Sequence, residues 1–294
     1  MNKALRNPMT YILFVIPGML LLFMFFVYPL ISSLYYGFTN WNGISDHVKL
    51  VGFRNFSKAL SDPAFWSSVK NNGYFILFSV FIQVPITIVA SLMIANVKKL
   101  QGLYKTAIFM PTVMSTAVIG ILWGFIYNYD VGLLNKIIVF FGGQPVDWLG
   151  SPKTAMLSIL ITNCWQWAGF YIVMILAAIL TIPKELDEAA MIDGATGLQR
   201  VRRITMPLIM PVISVVIMLS IAGSMKAADI IIVMTKGGPA SSTDVMATYM
   251  IKYAITNFKY GYGNALSFII FIFTMVVTVL YQVLIAKRAE RIDY

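Results

Sequence analysis

Six long stretches of this chain carry no charged side chain: 7–45, 71–97, 106–129, 154–183, 204–225 and 260–286. Each can cross a bilayer, whose hydrocarbon core of roughly 30 Å takes about 20 helical residues. Lipid offers no partner to a backbone N–H or C=O, so runs of this length must satisfy themselves internally as helices. The expectation is an all-α membrane protein with six transmembrane helices, at about 10–38, 73–96, 107–128, 156–180, 204–225 and 264–286. With 59% of residues hydrophobic and only 12% charged, no soluble domain fits between the spans, and residues 1–294 read as a single transmembrane domain.

The first span follows Lys3 and Arg6 as a signal peptide would. Its apolar stretch runs past Tyr28 without a small-x-small cleavage site, so it reads as a retained helix. Residues 137–146 are apolar but too short to span, and Gly142-Gly143-Gln144-Pro145 places them at the surface or interface. Orientation follows from the basic residues. With the N-terminus inside, Lys3, Arg6, Lys98, Lys99, Lys105, Lys184, Arg200, Arg202, Arg203, Lys287, Arg288 and Arg291 fall on the inner side, 12 of the 22. The other 10 spread over longer outer loops, among them Lys49, Arg54, Lys58 and Lys70. Both termini are therefore expected in the cytoplasm. The net charge of +10 lies along the membrane faces, which accounts for it without nucleic acid. The single Cys164 excludes an intrachain disulfide or a cysteine metal site. No Gly-x-x-x-x-Gly-Lys-Ser/Thr loop occurs, so this chain does not hold ATP in that manner.

In the outer loop 41–72, Asp62-Pro63 is placed as the N-cap and first residue of a helix leading toward the second span, and the loop is expected to fold as a small cap. The loop after the third span holds Asp130, Asn135, Asp147 and Trp148. The inner loop 181–203 carries more signals. Thr181 reads as a helix cap and Pro183 as a first-turn residue, with Glu185, Asp187 and Glu188 near the positive end of the helix dipole. Ile182, Leu186, Ala189 and Ala190 recur at helical spacing, and the alanines make that face narrow enough for close approach by a partner. Gly194 is a plausible stop, because glycine takes the left-handed conformation that ends helices. Thr196-Gly197-Leu198-Gln199 then matches a capping box that opens a second helix carrying Arg200, Arg202 and Arg203. Pro207 and Pro211 should kink the next span. The expected object is two short helices at an angle, acidic then basic.

These residues resemble the "EAA" loop of binding-protein-dependent ABC importer permeases, whose pattern is Glu-Ala-Ala-x-x-Asp-Gly-Ala followed by an Ile and a Pro opening the next span. Glu188, Ala189, Ala190, Asp193, Gly194, Ala195, Ile204 and Pro207 match it. Val201 departs where the family often has an aromatic, and Met206 where Leu is common; both remain apolar. Thr39-Asn40-Trp41-Asn42-Gly43, Val51-Gly52-Phe53-Arg54-Asn55-Phe56, Asp229, Thr235-Lys236-Gly237-Gly238-Pro239 and Gly261-Tyr262-Gly263-Asn264-Ala265 are similar to the carbohydrate branch of that family. The resemblance implies a type I ABC importer permease fold in the bacterial cytoplasmic membrane. It also implies that Glu188, Ala189, Ala190, Asp193, Gly194 and Ala195, with Pro207 behind them, form a coupling helix seated on a cytoplasmic ATPase. The implied complex is a heterodimer of this chain with a second homologous permease, two ATPase subunits that hold ATP and Mg, and an external sugar-binding protein. This chain itself would bind no cofactor and catalyse no reaction. Oligosaccharide fits the resemblance better than monosaccharide, with glycerol phosphate esters as the runner-up.

For a substrate path, the fourth span offers Asn163, Trp165, Gln166, Trp167 and Tyr171, a high density of polar and aromatic groups for lipid depth. Sugar hydroxyls could bond Asn163 and Gln166, and a sugar's carbon face could rest on Trp165, Trp167 or Tyr171. Helix packing and an aromatic belt explain the same residues equally well. Lys226 and Asp229, one helical turn apart at the outer end of the fifth span, are spaced for an ion pair and could line the same path. A snorkelling lysine explains Lys226 as simply. Gly120 and Gly124 form a small-x-x-x-small pattern for close helix packing, conceivably against the partner permease. His47 has no visible ligand partner. The inner loop could instead lie as an amphipathic helix in the headgroups, but such helices favour Lys, Trp and large apolar residues over an acidic, alanine-lined face. A secondary transporter or channel would bury ionisable residues at mid-membrane, and the interiors of these runs have none. A membrane enzyme would need a His-Glu-x-x-His pattern or paired intramembrane aspartates, and neither appears.

Overall fold

The computed structural model describes residues 8–283 apart from 46 and 98. Lys3, Arg6, Lys98, Lys287, Arg288 and Arg291 lie outside the described residues, as does the end of the sixth expected span, 284–286. The helices in chain order are α1 (8–37), α2 (Arg54–Ser61), α3 (Pro63–Ala95), α4 (Gln101–Val113), α5 (Thr116–Ile126) and α6 (Leu133–Phe140). They are followed by α7 (Ala155–Leu180), α8 (Lys184–Ile192), α9 (Gly197–Met225), α10 (Asp229–Met234), α11 (246–256) and α12 (Tyr260–Tyr281). Among the described residues the β structure is a single bridge between Thr39 and Leu50. Helices α1, α3, α7, α9 and α12 are each long and apolar enough to cross a membrane, and α4 with α5 make a sixth span if counted together.

That third span departs from the straight 107–128 helix read from the sequence: α4 and α5 meet at 98°. Pro111 removes a backbone donor in the last turn of α4, Met114 is extended, and Ser115 caps α5 by accepting from Ala117 N. The break is repaired from α7, where Gln166 O accepts from Thr112 Oγ1 at 2.9 Å and Gln166 Nε2 donates to Thr116 Oγ1 at 3.1 Å. Broken helices persist at membrane depth where neighbours re-satisfy the freed groups.

The second span also differs, starting at Pro63 rather than 73 and running for 33 residues. Asp62 Oδ1 accepts from Ala64 N, so the Asp62-Pro63 cap starts the spanning helix itself. Four helices contain a π-helical turn, and in three of them, at Phe23–Val27, Ser79–Gln83 and Val201–Thr205, the turn ends two residues before a proline: Pro29, Pro85 and Pro207; the fourth, Lys252–Thr256 at the end of α11, has no proline after it. Proline cannot donate to the carbonyl four residues back, and its ring crowds that carbonyl. Widening the preceding turn relieves the clash without ending the helix.

The described residues form two compact units, one of residues up to 65 with 250–272, the other of 66–249 with 273–283. In the first, Asn55 Nδ2 donates to Gly37 O and Thr39 O, Asn40 Oδ1 accepts from Lys49 N, and Trp41 O accepts from Gly261 N. Trp41 stacks on Tyr36, and a Cβ at Gly261 would collide with Thr39 O. The loop motifs 39–43 and 51–56 and the later 261–265 thus fold against one another.

In the second unit, α7 is the central element. A Cβ at Gly169 would run into Ile108 O, so glycine lets the α4 and α7 backbones touch. Ile175, Tyr171, Val84, Ile209 and Val216 form one apolar core, and Phe75, Ile119, Ile159, Ile231 and Val245 another. Gly120 packs against Val233 of this same chain, with the nearest methyl 2.6 Å from a would-be Cβ, while nothing lies within 4 Å of Gly124. The close packing expected of the glycine pair is therefore intrachain and involves one glycine. Buried amides pin the loops. Asn72 accepts from Met246 N and donates to Ser224 O, Asn71 donates to Ser242 O and Asp244 O, and Asn135 joins Tyr129 O, Val146 and Trp148 Nε1. Residues 137–146 begin in the short α6, expose Phe140 and Phe141 at its end, and continue as a turn and extended chain to Val146.

Candidate functional site

The loop 181–203 builds an elbow from local rules. Helix α8 is nine residues long, with Glu185 and Asp187 in its first turn. Its N-cap is Pro183; Thr181 instead closes α7, its Oγ1 donating to Ala178 O, which corrects the cap read from the sequence. The helix ends in a Schellman turn. Gly194 sits at φ +79°, Gly194 N donates to Met191 O at 3.1 Å, and Ala195 N donates to Ala190 O at 2.9 Å. One residue later the capping box forms in both directions, with Thr196 Oγ1 accepting from Gln199 N and Gln199 Oε1 accepting from Thr196 N.

The basic segment is not a separate helix. Arg200, Arg202 and Arg203 lie in the first turns of α9, which continues unbroken for 29 residues through the π turn and Pro207 to Met225. At about 1.5 Å per residue the helix is roughly 40 Å long. Helix α8 buries no residue, Ile192 is 87% exposed, and Glu188, Ala189, Asp193 and Gly194 are exposed, with Ala190, Ala195 and Pro207 partly so. One side-chain tie crosses the elbow: Arg200 Nη1 donates to Asp187 Oδ2 at 2.5 Å.

Farther along the same helix, a cavity of about 370 Å³ opens between α3, α7 and α9, with Thr116 of α5 and Ile230 of α10 also lining it. Helix α7 contributes Asn163, Trp167, Phe170 and Tyr171, spaced i, i+4, i+7 and i+8 and so on one face. Ser220 and Ser224 face it from α9, Ser79 and Gln83 from the π turn of α3. Lys226 and Asp229 stand at its edge, and among the described residues no ion pair joins them. The reason is that the helix ends between them: Lys226 is the C-cap of α9 and Asp229 opens α10.

Trp165 and Gln166 do not line the cavity. Trp165 lies on the far side of α7, edge-on to Trp123, and Gln166 is 1% exposed and committed to the α4–α5 break. Helical periodicity from Asn163 would have separated Trp165 from Trp167 and Tyr171, but Gln166, three residues on, falls at the edge of the same face and is set apart only by its bonds to the α4–α5 break. Ser79, Gln83, Ser220 and Ser224 were missed, since polar residues scattered over two spans reveal a shared cavity only after the helices pack.

The family model described as the binding-protein-dependent transport system inner membrane component matches residues 60–292. The chain belongs to that family. It is a multi-pass inner-membrane component, and curated relatives match it end to end. It is 30% identical to the probable ABC transporter permease protein YurN of Bacillus subtilis over 280 residues, 94% of this chain and 95% of that one. It is also 30% identical to the trehalose/maltose transport system permease protein MalF of Thermococcus litoralis, over 92% and 91% of the two chains. Among solved structures, a chain of a bacterial ABC transporter involved in the import of the acidic polysaccharide alginate aligns with TM-score 0.84 over 99% and 98% of the chains. At 23% identity that likeness attests the fold, the type I ABC importer permease architecture.

Proposed function

We propose that this inner-membrane component is a permease subunit of an ATP-driven oligosaccharide importer, forming half of the translocation path. Helix α8, through Glu188, Ala189, Ala190, Asp193, Gly194 and Ala195, seats on a separate cytoplasmic ATPase that holds ATP and Mg. The termini lie in the cytoplasm, a second homologous permease completes the pathway, and an external binding protein delivers the sugar.

The observation that carries this reading is the elbow: an exposed, acidic, alanine-faced helix joined by a rigid turn to a spanning helix that passes the cavity. The turn gives force applied to α8 a short covalent route into α9. The cavity supports the substrate class, because Asn163 and the serine oxygens of Ser220 and Ser224 offer hydroxyl partners and Trp167, Phe170 and Tyr171 offer apolar ring faces. Relatives named for trehalose/maltose, lactose and arabinooligosaccharides support it further.

The test is binding-protein-stimulated ATP hydrolysis by the purified complex across a panel of sugars. Stimulation by one or more oligosaccharides is the expected result. A silent panel with a glycerol phosphodiester responding would overturn the substrate class, and hydrolysis or transport without any copurifying ATPase would overturn the permease reading.

A further inference from the structure

The elbow has two covalent tethers. Residues 181–183 join α8 to the fourth span, and 193–196 join it to the fifth. Nothing in its packing decides which span it follows, because α8 buries no residue and a cavity of about 410 Å³ separates it from the ends of α3 and α7 and the base of α9. Among the described residues, the Asp187–Arg200 pair is the one side-chain hydrogen bond or ion pair linking α8 to another element. Reaching Asp187 leaves Arg200 Nε buried without a partner. Such a donor is costly, so the charge-assisted bond at Nη1 must offset it for the guanidinium to stay there.

We propose that Asp187 and Arg200 are positioning residues that lock α8 to the base of α9, so that motion of the coupling helix is delivered to the fifth span rather than the fourth. This inference rests on the permease reading above. The Schellman turn and capping box hold one end of the lever, and the ion pair holds α8 six residues before the helix stop at Asp193. Two fixed points set a direction, where one would leave a pivot at Gly194. The pair is half exposed on the Asp187 side, so its loss weakens the lever without unfolding the chain.

Asp187→Ala, Arg200→Ala and the exchange Asp187→Arg with Arg200→Asp are compared in the full complex reconstituted in vesicles, reading sugar imported per ATP hydrolysed. The single variants should copurify with the ATPase yet import about two- to fivefold less sugar per ATP, and the exchange should recover at least half of the loss. A separate readout needs no transport. With Cys164 replaced by Ser, spin labels at Ile192 and Arg202 should give a narrow distance distribution in the parent and the exchange variant, broadened in either single variant. Wild-type ratios in the single variants, an exchange as defective as its parts, or equal distance widths throughout would overturn the proposal. A parent complex that does not couple ATP to import would count against the permease reading instead, and the distance widths would still judge the lock.

Discussion

The elbow at 193–196 and the cavity around Asn163, Trp167 and Ser220 both place polar groups in a chain made for lipid, yet they are specified in different ways. The elbow is written in nearby residues: a glycine at φ +79°, a threonine and a glutamine three apart, a proline eight residues after the glutamine. The cavity is assembled from five helices and includes side chains that mean nothing singly. A site made of neighbours in sequence tolerates change in the surrounding spans, whereas a site made of neighbours in space depends on every contact that aligns those spans.

The sharpest way to break the contrast is at Gly194. Its left-handed backbone costs a β-branched residue about 1–2 kcal/mol, and every 1.4 kcal/mol is about a factor of ten. Gly194→Val, or charge reversal in Glu188→Lys, should lower import at least about tenfold while stimulated ATP hydrolysis persists. Import at parental levels in both would show that the elbow does not couple. Next in size is Gly169→Ala, whose new methyl meets Ile108 O and forces α4 and α7 apart. Overpacking of this kind costs about 1–3 kcal/mol. A thermal midpoint lower by several degrees in detergent should accompany poorer sugar binding, because the cavity depends on α7, whereas the elbow should still hold the ATPase on copurification.

A smaller effect is expected within the cavity itself. Asn163→Ala and Trp167→Ala should each raise the sugar concentration for half-maximal import about two- to tenfold, the value of one lost hydrogen bond or ring contact. Sugar imported per ATP should stay unchanged; if the ratio falls as well, cavity and elbow are not separable. The smallest change is expected at Gln166→Met. It removes the bond to Thr116 but also the buried, unpartnered Oε1, so stability should move by less than about 1 kcal/mol and sugar preference should not move at all. An altered sugar profile would place Gln166 back on the path.

This contrast also explains what could be read before the fold was known. Most caps and stops were legible, since Asp62-Pro63, Gly194 and the Thr196–Gln199 box act within a few residues, whereas Thr181, read as the cap of α8, closes α7 instead. The spans were legible as uncharged runs, although their true starts at Pro63 and Gly197 lie beyond the last charge, where polar turns of the same helix leave the membrane. The α4–α5 break was signalled by Pro111 and by Ser115 as a cap, but an apolar run concealed it. The exact partners of Asn71, Asn72, Asn135 and Gly169 were not legible, because each is determined by a segment far away in the chain.

The central claim is that α8 touches a nucleotide-hydrolysing subunit on the inner side of the membrane. Its most direct test is a single cysteine at Ala189, in a chain with Cys164 replaced by Ser, challenged in sealed vesicles with a short crosslinker and with a membrane-impermeant thiol reagent. The account predicts a crosslink to the copurifying ATPase and labelling from the cytoplasmic side alone. Labelling from the outside, or no adduct with that subunit, would contradict it.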